Sequence, residues 1–173
     1  MVQEILTDYE LIVDSCEQPR ERPGEYKEQK RYYYGKKKSH TFKNQIIVLP
    51  DGKDIVDVIV GRPGPKSDIN VFRESRKGFD PNQKFKGDKA YEGEPFIKTP
   101  TKKAKKQELT LEQKEKNKEL ASERIFVEHL IRFIKIFRVA SERFRLNPHK
   151  YEQIVMTICG LVRFRIGALV LPI

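Results

Sequence analysis

The chain is poor in the side chains that build sulfur- and nitrogen-rich metal cages. Its two cysteines, Cys16 and Cys159, stand far apart with no partners at metal-ligand spacing, and three histidines complete the set. No disulfide framework follows from such a pair, and both thiols read as reduced, buried groups in a reducing compartment. Long uncharged hydrophobic runs are also missing. The most apolar stretch, 154–173, carries Arg163 and Arg165 near its centre. Each charge at bilayer depth costs about 2.5–3.5 kcal/mol, so a core helix is expected there and not a membrane span. The start, Met1-Val2-Gln3-Glu4, does not open a signal peptide. No internal repeat occurs. Acidic residues are in deficit, 25 against 35 Lys and Arg, for a net charge of +10, and a polyanion is the natural partner of such a chain.

What is present suffices for one folded domain. The 173 residues are 38% hydrophobic and 35% charged, enough for a core beneath a polar surface. Residues 9–15 read as a short buried strand closing at Asp14. A turn-rich stretch with Pro19, Pro23 and Gly24 follows, then a run in which Arg31 and Lys36 to Lys38 flank Tyr32 to Tyr34. Strands are expected over 41–49 and 54–60, joined at Pro50-Asp51-Gly52-Lys53, whose Asp-Gly step signals a hairpin. Ser67 or Asp68 caps a short helix through Ser75, and 84–91 forms a fourth strand carrying Asp88. Thr110 with Gln113 forms a capping box for a helix that is polar to Glu123 and apolar thereafter. A last helix runs from about Tyr151 to Ile166 after Asn147-Pro148. This order predicts an α/β fold, a mixed sheet with helices on its faces.

Arg124, Glu128 and Lys135 stand four and seven residues apart, so a helix places them within roughly 40° of one another. With Asp14 and Asp88 upstream, the pattern suggests a metal-dependent enzyme acting on phosphodiesters. Two divalent ions about 3.5–4 Å apart can activate an attacking oxygen and stabilise the leaving one, and Mg²⁺ asks for only a few carboxylates. Glu128 lies among Ile125, Phe126, Leu130 and Ile131, where an idle carboxylate would be costly. The plain alternative is an ordinary Arg124–Glu128 helix ion pair, worth a few tenths of a kcal/mol, with aspartates that cap turns.

Several segments, taken in order, resemble one family. Leu-Ile-Val-Asp14-Ser with Gln18 and Arg22-Pro23, then Tyr33-Tyr34-Gly35 with Lys36, Lys37 and Lys38, His40-Thr41-Phe42-Lys43, Ser67-Asp68, Gly87-Asp88-Lys89-Ala90-Tyr91, and Arg124-x3-Glu128-x6-Lys135 are its parts. Over residues 8 to 140 the chain resembles the catalytic domain of DDE transposases of bacterial insertion sequences, close to Harbinger-type DDE endonucleases. That family's third block is often written Y-x2-R-x3-E-x6-K, and its tyrosine position is Ala121 here. The resemblance implies an RNase H-like fold, with three antiparallel strands followed by a parallel one. It implies Asp14, Asp88 and Glu128 as catalytic ligands of two Mg²⁺ or Mn²⁺ ions. Arg124, Lys135, Lys36, Lys37, Lys38 and Lys43 then contact DNA or support the transition state. The implied partners are double-stranded DNA at transposon ends and target, and further copies of the chain, in a bacterial cytoplasm on the nucleoid. The catalytic domain is expected over 1–146, with 147–173 as a helix on the same domain. No N-terminal helix-turn-helix fits before the first strand, so the chain is expected to be either the second frame of a split gene, with a separate helix-turn-helix polypeptide, or a fragment. A silent DNA-binding remnant and a host-adapted RNase H-like endonuclease are the alternative readings.

The remaining features carry plainer expectations. Asp68 is read as a helix cap, His40 as a packing residue, and Phe126, Phe133 and Phe137 as core. Tyr32 to Tyr34 with Lys36 to Lys38 is either a DNA-binding strip or a lysine-protected edge strand. The Lys102-Lys103 and Lys105-Lys106 pairs read as a loop meeting phosphates in a complex, or as a solvated charge run.

Overall fold

A computed structural model describes residues 6–103 and 108–168. The order of elements is β1 (Leu11–Pro19), α1 (Tyr26–Tyr32), β2 (Tyr33–Tyr34), β3 (Ser39–Val48), β4 (Ile55–Pro63), α2 (Asp68–Ser75), β5 (Phe85–Lys86), β6 (Ile97–Lys98), α3 (Leu111–Lys135), α4 (Arg138–Ser141) and α5 (Tyr151–Arg165). The main sheet runs β4-β3-β1-β5-β6, and β2 pairs with the first two residues of β3. β1 is antiparallel to β3, as β3 is to β4, whereas β1–β5 and β5–β6 are parallel. The fold is therefore α/β with a mixed sheet flanked by helices, consistent with the RNase H-like class.

Strand alternation divides the core into two layers. On one face Ile12, Phe42, Ile46 and Val48 pack with Val127, Leu130, Ile131 and Ile134 of α3 and with Tyr151, Val155, Ile158 and Val162 of α5. On the other, Leu11, Val13, Ile47, Phe85 and Ile97 pack with Phe72 of α2 and with Tyr91. Asp14 and Cys16 share the parity of Ile12 and so belong to the α3 side. Polar bonds tie α5 and the α4 segment to the sheet. The Tyr151 hydroxyl donates to Gln18 Oε1 at 3.0 Å and accepts from Asn44 Nδ2 at 2.7 Å. Gln18 Nε2 donates to the carbonyls of Val139 and Glu142, and Arg163 grips Asp54 with two bonds of 2.6 and 2.8 Å. Among the described residues no helix is long and apolar enough to cross a membrane.

The Asp-Gly hairpin forms as its chemistry demands, with φ of 60° at Asp51 and 66° at Gly52. Gly52 has a second reason to be glycine. A Cβ there would lie 3.3 Å from Phe126 Cβ, because α3 crosses directly over this turn. The α3 capping box is complete: Gln113 N donates to Thr110 Oγ1, and Thr110 N to Gln113 Oε1.

Four expectations are corrected. β1 does not close at Asp14 but runs five residues further, to Pro19, because its second half pairs with β3 from Ser15↔Gln45 to Pro19↔Thr41. The turn-rich stretch contains a helix, α1, braced by Gln29 Nε2 donating to the carbonyls of Pro23 and Gly24. The strand expected over 84–91 is only Phe85–Lys86. The second half of α3 is buried on one face alone. Ile125 within it and Ile136 just past its end remain about half exposed. Phe133 and Phe137 are partly buried against the core edge. Lys105 and Lys106 lie outside the described residues, as do 169–173.

Candidate active site

Asp14 sits in the middle of the central strand, between β3 and β5. Its Oδ1 accepts the Ser15 amide at 2.9 Å, and its Oδ2 lies 3.9 Å from Arg124 Nη2 of α3. Both side chains are largely buried, at 18% and 15% exposure. Burial raises the Asp14 carboxyl to about 6. The Ser15 amide and Arg124 oppose that rise, and the carboxylates of Asp88 and Glu128 add to it. Asp14 therefore feels acidic groups from two other elements. The turn after β5 supplies one and α3 the other.

Asp88 is held differently from the strand aspartate expected. It lies two residues beyond β5 and caps the short 3₁₀ turn Lys89–Tyr91, its Oδ1 accepting from Ala90 N at 2.8 Å. Gly87 makes this turn possible, because a Cβ there would come within 2.9 Å of the Tyr91 ring and 3.0 Å of Ile97. The Tyr91 hydroxyl is 2.7 Å from Ser15 Oγ and accepts from Gln45 Nε2 at 3.1 Å. That contact ties the Asp88 turn to the residue next to Asp14. Burial also pushes the Tyr91 phenol well above its usual range, so it remains a hydrogen-bond donor.

Glu128 is exposed, which removes the argument that an idle carboxylate would be costly at its position. α3 turns Val127, Leu130 and Ile131 inward, and Glu128 falls on the flank between them. Among the described residues, Arg124 pairs with Asp14 across the layer and not with Glu128 on its own helix. Its Nε is buried without a hydrogen-bond partner. Lys135 is exposed at the end of α3 and is one of the charges acting on Cys16, whose thiol burial raises to about 11. Cys16 is a packed thiol, consistent with filler beside an oxygen-rich site.

The lysines named from sequence do not gather in one place. Lys43 is buried on the opposite face of the sheet, 2.8 Å from Asp68 Oδ1 and 3.6 Å from Glu17 Oε1. Lys37 reaches the other Glu17 oxygen at 2.9 Å, while Lys36 and Lys38 are exposed. Asp68 is not the cap of α2. Ser67 is, accepting from Asn70 N, and Asp68 serves as the counter-ion of Lys43.

A brace that sequence reasoning missed holds α3 against the parallel strands. Lys86 Nζ of β5 lies 2.8 Å from Glu123 Oε1 and 2.9 Å from Glu10 Oε2. Glu123 immediately precedes Arg124, and Lys86 stands two residues before Asp88. No local signal marks a pair 37 residues apart.

The donor set suits a hard divalent cation. It is all carboxylate oxygen, with like charges crowding one buried member, and a bound cation would relieve that repulsion. Among the described residues no three acidic, histidine or cysteine side chains close into a ready-made cage. A cavity of about 640 Å³ lies elsewhere, lined by Arg20, Tyr32, Phe42 and Tyr151 among others and by none of the three carboxylates.

Comparison with known proteins identifies the family. A family model described as DDE superfamily endonuclease matches residues 13–163. A curated protein of Microchaete diplosiphon, a probable transposase for insertion sequence element IS702, is 34% identical over 161 residues, covering 91% of this chain and 57% of that protein. The chain thus spans little more than half the length of the curated relative it matches. No solved structure matches. With its fold, its carboxylates and these matches taken together, the chain belongs to the DDE superfamily endonucleases and carries a DDE transposase domain.

Proposed function

We propose that this chain performs divalent-metal-dependent DNA strand cleavage and strand transfer at transposon ends. One observation carries the reading: buried Asp14 of the central strand lies against Arg124 of α3, and the Ser15–Tyr91 contact ties the turn capped by Asp88 to it. The superfamily depends on divalent metal in general, and Asp14, Asp88 and Glu128 are the residues that would hold two Mg²⁺ or Mn²⁺ ions. Such ions, when bound, activate the attacking oxygen and stabilise the leaving one. Asp14 is rigid on the central strand, Asp88 is fixed by its turn, and exposed Glu128 is free to swing inward. Arg124, with an unpartnered Nε beside Asp14, offers a donor to a phosphate oxygen. Lys135 adds an exposed positive charge on the same helix. Water attacks a phosphodiester in line and leaves a free 3′-hydroxyl; that hydroxyl attacks target DNA and displaces a second 3′-oxygen. The open, solvent-facing helix flank suits a polymer better than an enclosed small molecule would.

The catalytic unit is proposed to span 1–146, with 147–173 packing on or extending the same domain, a placement supported by α5 sharing the α3 core. End recognition by a helix-turn-helix polypeptide and assembly of several copies belong to the same proposal. A catalytically silent DNA-binding form is the second reading, favoured by the exposure of Glu128 and by the Arg124 charge beside Asp14. A nicking assay on the element's terminal DNA separates the two. Wild type should cut only with Mg²⁺ or Mn²⁺, and Asp88→Asn should bind DNA but not cut. Equal cutting by the variant would refute the assignment of Asp88, and no cutting by wild type would favour the silent form.

A further inference from the structure

The segment between β1 and β3 is more than a connection. Residues 22–38 carry seven Lys or Arg against two Glu, which concentrates half of the chain's net charge of +10 in about a tenth of its length. All seven cations are exposed. Tyr32 packs against the core, but two other rings of the segment stay largely in solvent. Tyr26 is 79% exposed and Tyr33 47%, although a tyrosine ring in water forgoes a large burial gain.

These rings border a groove of about 400 Å³ lined by Arg22, Tyr26, Gln29, Lys30, Tyr33 and His40. Its frame is held in place. Arg22 Nη2 donates to Gln29 Oε1 at 2.8 Å, and Gln29 in turn binds the Pro23 and Gly24 carbonyls. Tyr33 packs edge-on against His40, with ring centres 5.5 Å apart. Two exposed tyrosines with a guanidinium and an ammonium beside them provide flat faces and charge together.

We infer that this α1–β3 groove binds unpaired nucleotides of DNA, stacking bases on Tyr26 and Tyr33 while Arg22 and Lys30 meet the phosphates. A duplex offers its backbone to cations but keeps its base faces stacked inside. Exposed rings contribute only when bases are free, as in single-strand binding grooves. The inference rests on DNA as the partner and adds which form of DNA this surface takes. His40 lies six residues along β3 from Ile46, the register partner of Asp14, which is about 20 Å at 3.3 Å per residue. That distance corresponds to roughly six base pairs at 3.4 Å each, so the groove would hold DNA some way from the cut.

The test is fluorescence anisotropy with the full chain, a labelled mixed-sequence single strand and the blunt duplex of the same sequence. Tyr26→Ala/Tyr33→Ala should weaken single-strand binding about tenfold or more and change duplex binding less than about twofold. Tyr26→Phe/Tyr33→Phe should restore it, because stacking needs the ring and not the hydroxyl. Lys30→Ala should weaken both and lower the slope of log affinity against log salt by about one. Unchanged single-strand binding by the double alanine variant overturns the groove while leaving duplex cleavage untouched. Equal losses for single strand and duplex overturn it as well. Failure of wild type to bind either DNA overturns the groove and the DNA reading together.

Discussion

Replacing Asp14 with asparagine should stabilise the metal-free protein while destroying its activity. In the fold the Asp14 carboxyl is raised from 3.8 to about 6, chiefly by burial and further by Asp88 and Glu128. Each unit is about 1.4 kcal/mol, so holding this group ionised costs the native state about 3 kcal/mol at pH 8. Asparagine keeps the shape and the oxygen that accepts the Ser15 amide, but it carries no charge. The sign follows from which state binds the proton. Between pH 4 and 6 the folded protein retains it and the unfolded chain does not, so this group's contribution is fully present below about pH 4. It is lost as pH rises through about 6. Asp14→Asn should therefore match wild type below pH 4 and exceed it by about 3 kcal/mol at pH 8, roughly 6–12 °C in melting temperature for a chain of this size. Urea unfolding in chelator across this pH range measures the difference. Excess Mg²⁺ should narrow or reverse it, since only wild type gains from binding the ion. A variant no more stable than wild type at pH 8, or one whose advantage persists unchanged at pH 4, would refute the argument.

Lys86→Met should cost about 1–3 kcal/mol in urea unfolding, because it leaves Glu10 and Glu123 without the ammonium that bridges them. By loosening α3 beside Arg124 it should also reduce cleavage at unchanged DNA affinity. Tyr91→Phe removes the hydroxyl that links Ser15 and Gln45. It should cost about 1–2 kcal/mol and raise the Mg²⁺ concentration for half-maximal cleavage. Gly52→Ala, at φ 66° with Phe126 close by, should lower stability by about 1–2 kcal/mol in a thermal melt, without altering DNA binding.

Local chemistry made much of the fold legible. The Thr110–Gln113 box, the Asp51-Gly52 turn and the apolar run of Ile46 to Leu49 each act through neighbours in sequence, and each appears where its residues are. Elements that depend on distant partners were not legible. β1 continues to Pro19 because β3 offers eight register partners, and nothing within Ser15 to Pro19 announces them. β5 is short because Gly87 must admit the Tyr91 ring, a contact visible only once the turn is folded. The site divides in the same way. The helical spacing placed Arg124, Glu128 and Lys135 on one helix, but spacing cannot tell a buried flank from an exposed one, and Glu128 proved exposed. The family resemblance offers Lys43 as a cation that contacts DNA or supports the transition state. Its commitment to Asp68 depends on α2 folding back over the sheet, and that to Glu17 on the β1–β3 register.

The central claim is that the carboxylates of β1, the β5 turn and α3 jointly hold divalent metal. Isothermal titration of Mn²⁺ into the full chain and into Asp14→Asn, Asp88→Asn and Glu128→Gln tests it directly. Wild type should bind the ion, and each of the three substitutions should weaken that binding at least tenfold without unfolding the protein. Undetectable binding by wild type, or three variants that bind as wild type does, would contradict the account.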